Sequence, residues 1–112
     1  MSSFTLNASN KKQLFSIYNT INKSVYGFGT NEAKILQADN LLIFHVQHNR
    51  IPCLQAIEDD YALLKENVDA AIMAVFKQRL RKALKDEMGL EAKAVLRDYG
   101  PDTLIAVTVV VL

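Results

Sequence analysis

The segment TLIAVTVVVL (103–112) decides the architecture. Ile105, Val107, Val109 and Val111 fall on one face of an extended chain, while Leu104, Ala106, Val110 and Leu112 dominate the other. The run is mostly β-branched and about half the ~20 residues a membrane-spanning helix needs, so it predicts a strand. A strand apolar on both faces is covered on both. The rest of the chain has to supply the covers.

Just upstream, Ala92, Ala94 and Leu96 alternate with Glu91, Lys93, Val95 and Arg97, and DYGPD (98–102) supplies a turn, which predicts a hairpin. A second hairpin lies earlier. Strands are expected at 33–37 and 41–47, joined by Ala38-Asp39-Asn40, where Asp and Asn tolerate turn geometry. In the later of these strands Leu42, Phe44 and Val46 point one way, and Leu41, Ile43, His45 and Gln47 point the other.

Helical spacing fills the remainder. Leu14, Ile17, Tyr18, Ile21 and Val25 mark a helix expected to open at Asn10, with Gln13 completing a capping box. Lys11 and Lys12 oppose its dipole slightly. GFGT (27–30) closes the helix, with Gly27 as a left-handed cap. Pro52 suits the first turn of a short helix, 52–58. A longer helix is expected to start at the acidic run Glu58-Asp59-Asp60. Its predicted buried stripe is Leu64, Val68, Ile72, Val75, Phe76, Leu80, Leu84 and Met88, and Gly89 is placed to cap it.

The order is α-β-β-α-α-β-β, an α+β class fold with a four-stranded, mostly antiparallel sheet carrying helices on one face. One domain spans 1–112. A chain this short covers only one sheet face. The second apolar face, expected from Leu41, Ile43, Val95 and one side of the last strand, then calls for a second copy. The expectation is a homodimer or higher oligomer.

Composition fits a compact protein: 50% of residues are hydrophobic and 22% charged, richer in apolar residues than a disordered chain. A net charge of +1 gives no general reason to expect a polyanionic partner. The single cysteine cannot form an internal disulfide, which is compatible with a reducing cytoplasm. No charged-then-apolar signal peptide is visible in MSSFTLNASNKKQ. A soluble, cytoplasmic protein is expected.

The stretch HVQHNRIPC (45–53) gathers both histidines and the cysteine. His45 and His48 are three apart, so an extended backbone turns them to opposite faces, and no second Cys or carboxylate completes a ligand set. Cys53 in a helical first turn could be nucleophilic, yet no residue is placed to orient a histidine partner, and a small buried hydrophobe is the plainer reading. No catalytic set, metal site or cofactor is expected. GFGT runs from helix to strand, the reverse of a phosphate loop.

Lys77, Arg81 and Lys85, spaced by four, form a basic row that could contact an anion or nucleic acid. A solvated helix face near a C-terminus is the plainer account, because the overall charge is balanced and no aromatic row accompanies the basic one. The α-β-β-α-α-β order allows a KH-like nucleic-acid-binding alternative, but the helix junction IEDDYALL (57–64) lacks the GXXG clamp.

Taken in order, GFGT, ADNLLIFHVQHNRIPCLQ (38–55) and LRDYGPDTLIAVTVVVL (96–112) resemble the MpsC-type domain, a small bacterial family. GFGT is similar to the Gly-x-Gly-Pro after its first helix, and the second stretch to its strand, loop and Leu-Thr-Pro-x-Glu helix start. The chain departs from that pattern at Thr30, Ile51 and Gln55, where the family prefers Pro, Thr and Glu. The resemblance covers about Leu14 to Leu112 and implies a link to a sodium-translocating, membrane-potential-generating system. With no spanning segment, such a role would be that of an accessory or regulatory protein acting on a protein partner at the membrane. The expected function is therefore a non-enzymatic oligomeric module.

Overall fold

In the computed structural model, residues 4–30, 32–49 and 51–112 are described. The element order is α1 (Ala8–Tyr26), β1 (Ala33–Ala38), β2 (Leu41–Gln47), α2 (Pro52–Ala56), α3 (Ala62–Met88), β3 (Ala94–Gly100) and β4 (Ile105–Val111). The four strands form one sheet in the order β1-β2-β4-β3, every neighbour antiparallel. The α+β arrangement is the one the sequence predicts, and the doubly apolar β4 takes a central place.

Helix α1 begins earlier than expected. Asn7, not Asn10, is the N-cap: its side chain accepts from the Asn10 backbone at 2.9 Å, and the Asn10 side chain accepts from the Asn7 backbone at 2.7 Å. The capping box is present, with Asn in the role of Glu or Gln and three residues upstream. At the other end Gly27 has φ 88° and donates to Lys23, as its left-handed conformation requires. The loop that follows is held from the helix. The Asn19 side chain accepts from the Thr30 backbone at 2.8 Å, a bond that a proline there could not make. A Cβ on Gly29 would stand 2.5 Å from the same Asn19 oxygen, so the close approach needs glycine.

The acidic run does not open the long helix. Glu58, Asp59 and Asp60 form the turn between α2 and α3, and α3 starts at Ala62 behind Tyr61, with no side-chain cap. Backbone bonds carry the chain through this corner, Tyr61 N–H to the Ile57 carbonyl at 2.9 Å and Lys65 N–H to the Tyr61 carbonyl at 3.0 Å. Gly89 caps α3 at φ 66°. The β3–β4 connection also moves: β3 continues to Gly100, and Pro101–Leu104 make the loop, with Leu104 in the left-handed region at φ 59°.

Helices α1 and α3 pack together on one sheet face. Tyr18 is the centre of the core: it stacks on Phe44 of β2 at 5.1 Å and meets the Phe76 edge of α3 at 5.1 Å. Leu14, Ile17, Leu80 and Leu84 complete the helical layer over Leu42, Val46, Ala106 and Val110. Large apolar side chains so buried contribute about 1.5–3 kcal/mol each.

The stripe of α3 is only half as predicted. Phe76, Leu80 and Leu84 are buried, but no residue before Phe76 in the helix is, and Leu64 is 52% and Val75 38% exposed. The reason is reach: a helix of 27 residues at ~1.5 Å per residue is about 40 Å long, well beyond strands of seven.

Candidate functional site

Two features stand out, one on each side of the sheet. The first is the bare face. In register across the strands run Leu36, Ile43, Val109 and Leu96, with Ala38, Leu41, Val111 and Ala94 beside them. Leu36 and Leu96 are 55% and 58% exposed. The expected membership needs one correction: Val95 packs against the helical core, and Leu96 takes the place assigned to it. The alternation of β3 puts Val95 and Arg97 inward and Leu96 outward, so the two faces are those the spacing separates, with their assignment to core and solvent reversed. The next row holds Lys34, His45, Val107 and Asp98, with opposite charges at its two ends.

The second feature is Arg97, which is 8% exposed on the helix side of β3. Its guanidinium carbon lies 5.1 Å from the Tyr26 ring centroid and 4.7 Å from that of Phe76. Nη1 donates to the Tyr26 hydroxyl at 2.9 Å. Nε and Nη2 are buried with no hydrogen-bond partner. Each N–H left so costs about 1–3 kcal/mol, and a buried charge without a counter-ion costs more. No carboxylate among the described residues forms an ion pair with it; nearby Asp69 is paired with Lys65 at 2.7 Å.

His48 packs beside this arginine. It is 4% exposed, with ring centroids of Tyr26, Phe28 and Tyr99 at 4.4, 5.3 and 5.4 Å. Its backbone continues the sheet, the N–H donating to the Leu104 carbonyl at 2.7 Å, and its own carbonyl accepts from the Tyr99 hydroxyl at 2.9 Å. Burial, and next the Arg97 charge, lower its pKa to about 4. Backbone carbonyls of His48 and Asn49 offset this in part, though neither makes a well-formed hydrogen bond with the ring. The imidazole is neutral near pH 7. A cavity of about 190 Å³ opens here between β3, α2 and α3, walled by Tyr26, His48, Tyr99, Leu54, Met73 and Arg97.

The two histidines do part as the alternation predicts, His45 to the open face and His48 to the core side. Pro52 opens α2, and Ile51 makes no side-chain cap. Arg50 lies outside the described residues. Cys53 is exposed, not buried as the plainer reading had it, because the first turn of α2 presents Leu54 to the interior instead. Among the described residues no group of three or more His, Cys, Asp or Glu could hold a metal ion.

Two of the three residues of the basic row are engaged within the chain. The Nε and Nη2 of Arg81 both donate to the Ala92 carbonyl, at 3.1 and 2.6 Å, which ties α3 to the chain entering β3. Lys85 pairs with Glu91 at 2.9 Å, and Lys77 is half-buried.

Tyr26, Arg97 and Tyr99 were not singled out from the sequence. The alternation of β3 does set Arg97 on the same face as Val95, but which face that is follows only once Val95 is seen against the helical core.

Fold and sites define an α+β protein with a helical layer, a bare sheet face and a buried arginine that has no carboxylate partner among the described residues. No family model matches the chain, and neither a curated protein nor a solved structure matches it. No helix among the described residues is long and apolar enough to cross a membrane.

Proposed function

We propose that the chain is a non-enzymatic module that pairs with a second copy through the bare sheet face and acts on a protein partner as an accessory or regulatory subunit. The observation that carries this reading is the unbroken apolar row Leu36–Ile43–Val109–Leu96, uncovered at both ends. Exposed apolar patches of this kind mark interaction surfaces. The resemblance to the MpsC-type family supports the accessory role at a membrane system and a cytoplasmic location. The rival nucleic-acid reading is weakened because Arg81 and Lys85 are spent on Ala92 and Glu91.

Size sets the strength of the pairing. Four strands at about 4.8 Å and seven residues at about 3.3 Å give a face of roughly 440 Å² per copy before side-chain relief. That is near the lower limit for a specific interface, so the dimer is expected to dissociate reversibly on dilution. Sedimentation velocity over a concentration series tests it. The expected result is a monomer–dimer equilibrium, shifted to monomer by Leu36→Glu with Leu96→Glu while the circular dichroism spectrum is kept. A monomer at every concentration overturns the reading.

A further inference from the structure

We propose that the cavity beside Arg97 is a binding site for a small, singly charged organic carboxylate with an apolar body. The argument starts from which nitrogens are unpaired. Nε and Nη2 are the two donors on one edge of a guanidinium, the edge that grips a carboxylate with two parallel hydrogen bonds. Arg81 uses the same two atoms, both on the Ala92 carbonyl. In Arg97 they are the two left without a partner, while Nη1 is fixed by Tyr26. The fork is thus held in position and sheltered from solvent, with both of its donors unpartnered.

The surroundings choose among anions. The rings of Tyr26, His48 and Tyr99 and the side chains of Leu54 and Met73 offer an apolar enclosure for a ring or a short hydrocarbon chain. A volume of about 190 Å³ sets the scale at a small molecule and not a peptide or nucleotide. Glu58 and Asp69 also line the cavity, and the lysine there, Lys65, is already paired with Asp69. Carboxylates on the wall disfavour a doubly charged phosphate, whereas a single charge is met by Arg97, the one arginine among the described lining residues. The neutral His48 adds two ring nitrogens with no partner, one of which can donate to the incoming acid. Because the fork is covered from solvent, a wall side chain has to turn outward as the acid enters. This site lies on the helix side of the sheet, so it stands or falls separately from pairing through the bare face.

The test is titration calorimetry with benzoate, phenylacetate, butyrate and inorganic phosphate at millimolar concentration, on the intact chain and on Arg97→Met and Arg97→Lys. The expected result is saturable binding of at least one carboxylate, one per chain, with ring-proton shifts at Tyr26 and His48. Arg97→Met abolishes it without lowering the melting temperature, since it removes an unpaired buried charge. Arg97→Lys keeps the charge but not the fork, and weakens binding by about tenfold or more. Absence of saturable binding by all three carboxylates overturns the proposal. So does unchanged affinity in Arg97→Lys, or a preference for phosphate. If Arg97→Met does not fold, the Lys variant and the proton shifts decide.

Discussion

At the scale of single residues, His48 and Arg97 are the costly placements. Both are polar, both nearly fully buried, and both leave nitrogens without hydrogen bonds. For His48 the cost becomes a pH dependence. Its folded pKa is about 4, below the usual 6.5, because burial and then the Arg97 charge oppose its protonation. The unfolded chain therefore takes up the proton first as pH falls. The fold is unaffected by this group above about pH 6.5 and loses stability as pH drops from there toward 4, by about 3 kcal/mol. Other acids titrate in the same range, so the measurement is a difference. Denaturant unfolding of the wild type and of His48→Phe, which keeps a ring among the aromatics, should diverge by that amount between pH 7 and pH 4. A constant difference across the range would show that His48 does not carry it.

At the scale of elements, the two hairpins and three helices were legible because each carries a periodic signal and a stop. Gly27, Gly89, Pro52 and the Asp39-Asn40 turn all act where the sequence places them. Boundaries failed where two local solutions competed. The pair Asn7 and Asn10 offers one capping box and Asn10 with Gln13 another, and only the backbone decides. Glu58–Asp60 are acceptable at a helix N-terminus, but the turn out of α2 used them first. The core side of the sheet could be read from alternation, and Leu42, Phe44, Val46, Ala106 and Val110 are all buried. The candidate pocket could not. It depends on residues from α1, β3, α2 and α3 meeting, which no single periodic pattern encodes.

Helix α3 also shows why a hydrophobic stripe is not the same as a buried one. Leu64, Val68 and Ile72 continue the spacing of Phe76, Leu80 and Leu84, yet the sheet beneath them has ended. The C-terminal half is held by the core and by Arg81 on Ala92. The N-terminal half has the Lys65–Asp69 pair and the cavity wall. Local stability should follow that division. In hydrogen exchange, amides at 66–72 are expected to exchange roughly tenfold or more faster than those at 78–86. Equal protection along the helix would mean that the N-terminal half is covered in solution. Added benzoate, if it occupies the Arg97 cavity, should slow the 66–72 segment selectively.

At the scale of the whole molecule, if two copies pair through the bare face as proposed, the charges on that face choose how they meet. Face-to-face packing of two sheets admits a twofold axis along the strands or one across them. An axis along the strands, between β2 and β4, lays β1 over the partner's β3 and keeps every row over itself. The apolar row then meets its own copy, and each Lys34 lies over the partner's Asp98. An axis across the strands lays β1 over β1 and leaves both charges without an opposite. The first arrangement gains two ion pairs at the rim, so it is the one expected. The check is a charge exchange. Lys34→Asp alone sets two carboxylates together twice in each dimer, and so does nothing to folding but weakens pairing by about 1–2 kcal/mol, roughly tenfold in Kd. Lys34→Asp combined with Asp98→Lys restores the opposition and should recover most of the affinity. The loss should shrink in high salt, because these rim charges are screened. If the single substitution leaves Kd unchanged while Leu36→Glu with Leu96→Glu still separates the copies, the axis runs across the strands instead.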